Sequence, residues 1–113
     1  MCFIIKELYL SATPKSDAVE TAGNFNTDVV AVVEEEDENS GGKKTVKYVA
    51  AFFTYANVAD LQSRHVKTGE YLNGKYFYAK NMVLVDDCSL ENVKTIVSHL
   101  VEEGDFRDAF RKI

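Results

Sequence analysis

The side chains able to do chemistry are few. The chain has two histidines, His65 and His99, and neither sits in an H-x-x-H or H-E-x-x-H pattern. A zinc site would need both to converge on a carboxylate from another element. The two cysteines, Cys2 and Cys88, lie far apart and form no C-x-x-C pair. Cys88 follows Asp86-Asp87 and precedes a helix start. A helix N-terminus lowers a thiol pKa, but two adjacent carboxylates oppose that shift. A cysteine nucleophile also needs a base and an oxyanion hole, and no motif supplies them. Asp86 and Asp87 are neighbours, so on extended chain they face opposite ways. They read as the polar entry to a helix. The expectation is therefore no catalytic residue, no metal ligand set and no cofactor.

Two other features suit binding. Glu34, Glu35, Glu36, Asp37 and Glu38 form an unbroken acidic run. Net charge is −5, from 18 acids against 13 bases, so this run accounts for the whole imbalance. Such a cluster steers a basic protein partner, and its effect weakens with salt. Nucleic acid is a poor partner, because clustered Lys and Arg are needed to release its counterions. The second feature is aromatic: Tyr71, Tyr76 and Tyr78, with Phe77 between, flank Asn73-Gly74. Tyrosines at a turn suit an interface core. The alternatives are core filling, with Phe77 inward, or a ligand pocket lined by Tyr71, Tyr76 and Tyr78.

The elements that must position these residues are organised around Val46–Tyr55, VKYVAAFFTY. Both alternating sets are apolar, which predicts a central strand covered on both faces. Phe3–Leu10 reads as a first strand, closed by Ser11, Thr13 and Pro14. Residues 11–27 form a long polar segment, a loop or a short helix near 17–22. Asp28–Glu36 is a second strand, and Asn39-Ser40-Gly41-Gly42 turns it into the central one. Asn57 is placed to cap a helix from Val58 to about Lys67, with Gly69 as its stop. Asn73-Gly74 suits a type I′ hairpin turn into a fourth strand, Tyr76–Asp86, bulged near Lys80-Asn81. Ser89 caps a helix Leu90–Glu103 with an apolar stripe of Leu90, Val93, Val97, Leu100 and Val101. Asp105 starts a last helical turn, Phe106–Ile113.

At 113 residues this is one domain, 1–113, with 46% apolar and 27% charged residues. The class is α+β: a mostly antiparallel four-stranded sheet with two to three helices, in the order β-β-β-α-β-α(α). The N-terminal CFIIKELYL is too short and too charged for a signal or a membrane span, which predicts a cytoplasmic protein with no membrane partner.

The segment YVAAFFTY, the helix after it, and TGEYLNGKYFYAKNMVLVD resemble small bacterial proteins, some of them immunity proteins of polymorphic toxin systems. The resemblance spans roughly residues 46–103 and carries no functional residue with it. It implies a cytosolic bacterial inhibitor that occludes a toxin. Joined to the acidic run and the tyrosines, it gives the functional expectation: a non-enzymatic protein-binding module for a basic partner. The alternative is a small enzyme or ligand binder with a Tyr-lined pocket.

Overall fold

The computed structural model describes residues 3–12, 22–36, 39 and 41–113. The chain is α+β. Its strands are β1 (Phe3–Leu10), β2 (Asn26–Glu36), β3 (Lys43–Thr54), β4 (Met82–Val85) and β5 (Arg111–Lys112). The helical segments that lie wholly among the described residues are α1 (Tyr55–Thr68), α2 (Glu70–Gly74), α3 (Leu90–Glu102) and α4 (Phe106–Ala109). Of the expected loop Ser11–Thr27, residues 13–21 fall outside the described residues, as do Asp37 and Glu38 of the acidic run, while Asn26 and Thr27 belong to β2 and not to the loop.

The sheet runs in the order β1-β2-β3-β4, and β5 joins β3. The β1/β2 and β2/β3 pairs are antiparallel, whereas β3 and β4 are parallel. β3 is central, as its apolar run predicts. One of its faces carries the core: Tyr48, Ala50, Phe52 and Thr54 are buried beside Val29, Ala31 and Val33 of β2. Val93 and Val97 of α3 and Phe106 and Phe110 close this face. Phe106 and Phe110 stack at 4.6 Å and meet Tyr48 and Phe52 edge-on. The opposite face is less covered than the two-sided pattern predicts, since Val49, Ala51 and Phe53 are only half-buried. Among the described residues, Phe53 of this face meets Phe77 of the crossover chain at 5.2 Å.

Four boundaries differ from those expected. The cap of α1 is Thr54, not Asn57: its extended backbone ends β3 and its hydroxyl accepts from the Asn57 N–H at 3.1 Å. Asn57 thereby sits in the first turn, and its side chain pairs with Asn24 and Asn26 instead. The fourth strand is only Met82–Val85, because Asn81 takes φ 53 and breaks the extended run. The final helix stops at Ala109. Phe110 turns extended (φ −104, ψ 144), and Arg111–Lys112 pair with Val49 and Tyr48. The Asn73-Gly74 turn is not a hairpin, as described below.

The molecule is elongated, 54 × 31 × 23 Å, with a radius of gyration of 16.1 Å. A compact domain of this length would have about 13 Å. Substituting Phe52→Ala, at the centre of the covered face, is expected to cost about 3–5 kcal/mol through the cavity left behind. Urea unfolding checks this, and an unshifted midpoint would contradict a core centred on β3.

Candidate functional site

The two features expected to bind a partner occupy opposite ends of β3. The acidic run closes β2 beside the start of β3, where Glu36 pairs with Lys43 and Glu34 with Thr45. The aromatic cluster follows the end of β3. Twelve residues separate these ends, about 40 Å at the rise of roughly 3.3 Å per residue.

The acidic run does not form one surface, because alternate residues of a strand face opposite ways. Glu34 is on the open face, 3.8 Å from Lys6 and 3.6 Å from Lys43. Glu36 is exposed. Glu35 turns into the covered face and is only 6% exposed, so the expectation that it meets a partner is corrected. Its carboxylate accepts from the Tyr48 hydroxyl at 3.1 Å, Arg107 at 3.1 Å and Lys112 at 2.9 Å. The hydrogen bond from Lys112 holds the Glu35 carboxyl below its usual range, against the opposing effect of burial. Burial and the bond to Glu35 push the Tyr48 phenol up. Five consecutive acids gave no sign of this, but Arg107 and Lys112 near the chain end were the available counter-charges.

At the other end, α1 leaves the sheet with only Asn57 and His65 buried. An amide network ties its base to the start of β2: Asn26 donates to Asn57, Asn57 to Asn24, and Asn24 to Asp60 at 2.6 Å. Gly69 (φ 85) ends α1, as expected. The next turn winds left-handed through Tyr71 (φ 52), Leu72 (φ 56), Asn73 (φ 60) and Gly74 (φ 76). Positive φ at Asn73-Gly74 is what a type I′ pair requires, but here it spreads back over two larger residues. Left-handed helical backbone costs about 1–2 kcal/mol per non-glycine residue.

Packing holds the turn in place. The Tyr71 ring stacks on His65 at 4.6 Å and meets Tyr76 and Phe77 at 5.3 Å. Phe77 reaches Phe53 of the open sheet face at 5.2 Å. Gly74 lies against α1, where an added Cβ would come within 2.8 Å of the Gln62 carbonyl oxygen. His65 is buried, and its Nδ1 has no hydrogen-bond partner among the described residues. Tyr71 is thus half-buried, while Tyr76 and Tyr78 are 53% and 66% exposed and Leu72 is 67% exposed. Among the described cavities none is lined by Tyr71, Tyr76 or Tyr78. Leu72 was missed by sequence reasoning, since Asn73-Gly74 marks positive φ only at that pair and not at the two residues before it.

The reactive residues read as structural. Cys88 is fully buried, its Sγ 3.7 Å from the Phe25 carbonyl oxygen. Burial, aided by Asp87, pushes its thiol up to about 11, which removes the nucleophilic thiolate at neutral pH. Asp87 accepts from the Ser89 amide and hydroxyl, and Asp86 from Asn92, which keeps the Asp86 carboxyl below its usual range. Ser89 caps α3 as expected. His99 is on the surface beside Glu103 at 3.6 Å. Among the described residues no three His, Cys, Asp or Glu side chains group as metal ligands. Among the described residues no helix is long and apolar enough to cross a membrane.

The described cavities lie away from these tyrosines. A groove of about 470 Å³ runs between β1 and α3 over Ile5, Leu8, Lys94, Val97 and Ser98. A smaller one of about 240 Å³ lies by Ser11, Thr27 and Phe53. Comparison with known protein families, with curated proteins and with solved structures finds no match to this chain.

Glu35 supports a test. Its folded pKa is depressed, so its stabilisation is complete above the unfolded value of about 4.3 and is lost as pH falls through the folded value. Glu35→Gln is expected to cost about 1–3 kcal/mol at neutral pH, the range for charge-assisted hydrogen bonds, since both cations stay partly solvated. The gap between wild type and variant should narrow below about pH 4. Denaturant melts across pH 3–7 measure it, and a pH-independent gap would contradict the clamp.

Proposed function

We propose that this chain is a non-enzymatic protein-binding module that anchors its partner on the apolar end of the α1–α2 arm. The observation that carries the reading is Leu72, 67% exposed on a strained left-handed turn. Strain of this kind survives only where the surroundings over-determine it, and such places cluster at recognition sites. The His65–Tyr71–Phe77 stack does that here. It leaves Leu72, Tyr76 and Tyr78 presented to solvent, and Val66 of α1 is exposed beside Gly74. Rigid aromatic and aliphatic side chains of this type act as interface anchors.

The acidic end has a separate role in this reading. At about 40 Å from the arm it lies beyond a Debye length of about 10 Å, so it does not act on the anchored contact. Glu36, with Glu34 beside it, steers a basic region of a partner long enough to reach both ends. The resemblance to immunity proteins makes that partner a toxin, neutralised by occlusion. Support for the toxin rests on the resemblance alone, whereas support for a binding arm rests on the exposed apolar residues.

The test is partner capture and binding kinetics with two variants. The triple change Leu72→Ser, Tyr76→Ser and Tyr78→Ser is expected to weaken binding by at least about 2 kcal/mol, roughly thirtyfold. The pair Glu34→Gln and Glu36→Gln should slow association and flatten its salt dependence, with dissociation little changed. A partner held equally well by the triple variant would overturn the arm as anchor.

A further inference from the structure

We infer that β1 is a self-complementary edge, through which two copies of this chain join their sheets about a two-fold axis. Among the described residues, β1 is the long edge of the sheet, with no second strand beside it. It has eight residues and pairs with β2 on one side only, whereas β4 and β5 at the far edge have four and two. An edge strand of that length offers a row of free N–H and C=O groups to another strand.

The sequence of β1 is suited to pairing with itself. In an antiparallel register centred between Lys6 and Glu7, Lys6 lies opposite the partner's Glu7, and Glu7 opposite the partner's Lys6. Outward from the centre, Ile5 lies opposite the partner's Leu8, and Ile4 opposite the partner's Tyr9. Two ion pairs thus sit between apolar pairs, and directly opposed residues on one face are the unit of sheet stabilisation.

This register needs each pair to share a face, and an unbroken strand would forbid it. Ile5 and Leu8 are three residues apart and would point opposite ways. The β-bulge at Lys6 removes the conflict, because the register with β2 shifts between Ile5 and Glu7. Ile5 and Leu8 then both lie on the covered face, opposite the fully buried Val33 and Ala31. Ile4 and Tyr9 both lie on the open face, opposite Glu34 and Val30. Lys6 points to the open face too, toward Glu34, and Glu7 joins it opposite Val32. Glu7 has no ion pair among the described residues, so its charge is free for the partner's Lys6.

Two further observations fit a second copy. The groove of about 470 Å³ runs along this edge, with Ile5, Leu8 and Val97 in its lining. The partner's Ile5 and Leu8 would stand beside it on the same face. Ile4 and Tyr9 are 56% and 37% exposed, and the same pairing covers them.

The test is the mass in solution, by sedimentation at several concentrations, of the full chain and of charge variants. A single chain has a mass of 12.7 kDa. Wild type is expected to approach twice that in the high micromolar range. Lys6→Glu and Glu7→Lys should each be monomeric, since each places like charges opposite one another. Mixed in equal amounts they should associate again, because every position then meets its opposite charge. Circular dichroism confirms that each variant is folded. A monomeric wild type would overturn the inference, with the Lys6 bulge then serving only to protect the edge. A dimer indifferent to both substitutions would also overturn it, by placing the contact elsewhere.

Discussion

The buried carboxylate of Glu35 ties together parts of the chain that sequence keeps far apart. It lies on β2, its phenol partner on β3, and its two cations on α4 and β5. A carboxylate so enclosed is tolerable only when its oxygens are occupied by donors, and by cations above all. The C-terminal segment is thereby held against the sheet at the point where Phe106 and Phe110 complete the core. Packing and electrostatics cooperate here, since the aromatic stack fixes where α4 lies and so where Arg107 can reach. The strand Arg111–Lys112 extends the sheet by two residues, and its lysine supplies the second cation.

The other end of the molecule follows a different logic. The sheet's fourth strand runs parallel to β3, so the chain must travel back along the sheet before β4 begins. α1 begins that excursion while burying little of itself, which leaves the arm dependent on local contacts. Three asparagines secure its base and an aromatic stack secures its tip. The left-handed turn between them reverses the chain within five residues, at a backbone cost that the rings of Tyr71, His65 and Phe77 offset. A helix held at two points, with a solvent-facing leucine at its end, is built to present that end.

These arrangements leave the surface divided. Glu34 and Glu36 lie at the end of β2, exposed apolar side chains at the arm, and, among the described residues, β1 has a strand on one side only. Each region owes its character to a different constraint: strand alternation at the acidic end, crossover geometry at the arm, and termination of the sheet at β1.

Much of the architecture was legible in the sequence alone. The two-sided apolar run of β3, the extent of β1, the Ser89 cap and the Gly69 stop are local signals, and local physics settles them. Positive φ at Asn73-Gly74 was legible too, although the hairpin it suggested was not formed. Tertiary structure decided the rest. That Glu35 turns inward depends on the register of β2 against β3 and on cations more than seventy residues away. The crossover made β4 parallel, and the positive φ of Asn81 made it short. Leu72 was left exposed by a turn that only the His65 and Phe77 rings could stabilise. Sequence pattern reports what each residue prefers; long-range contacts determine which preference is met.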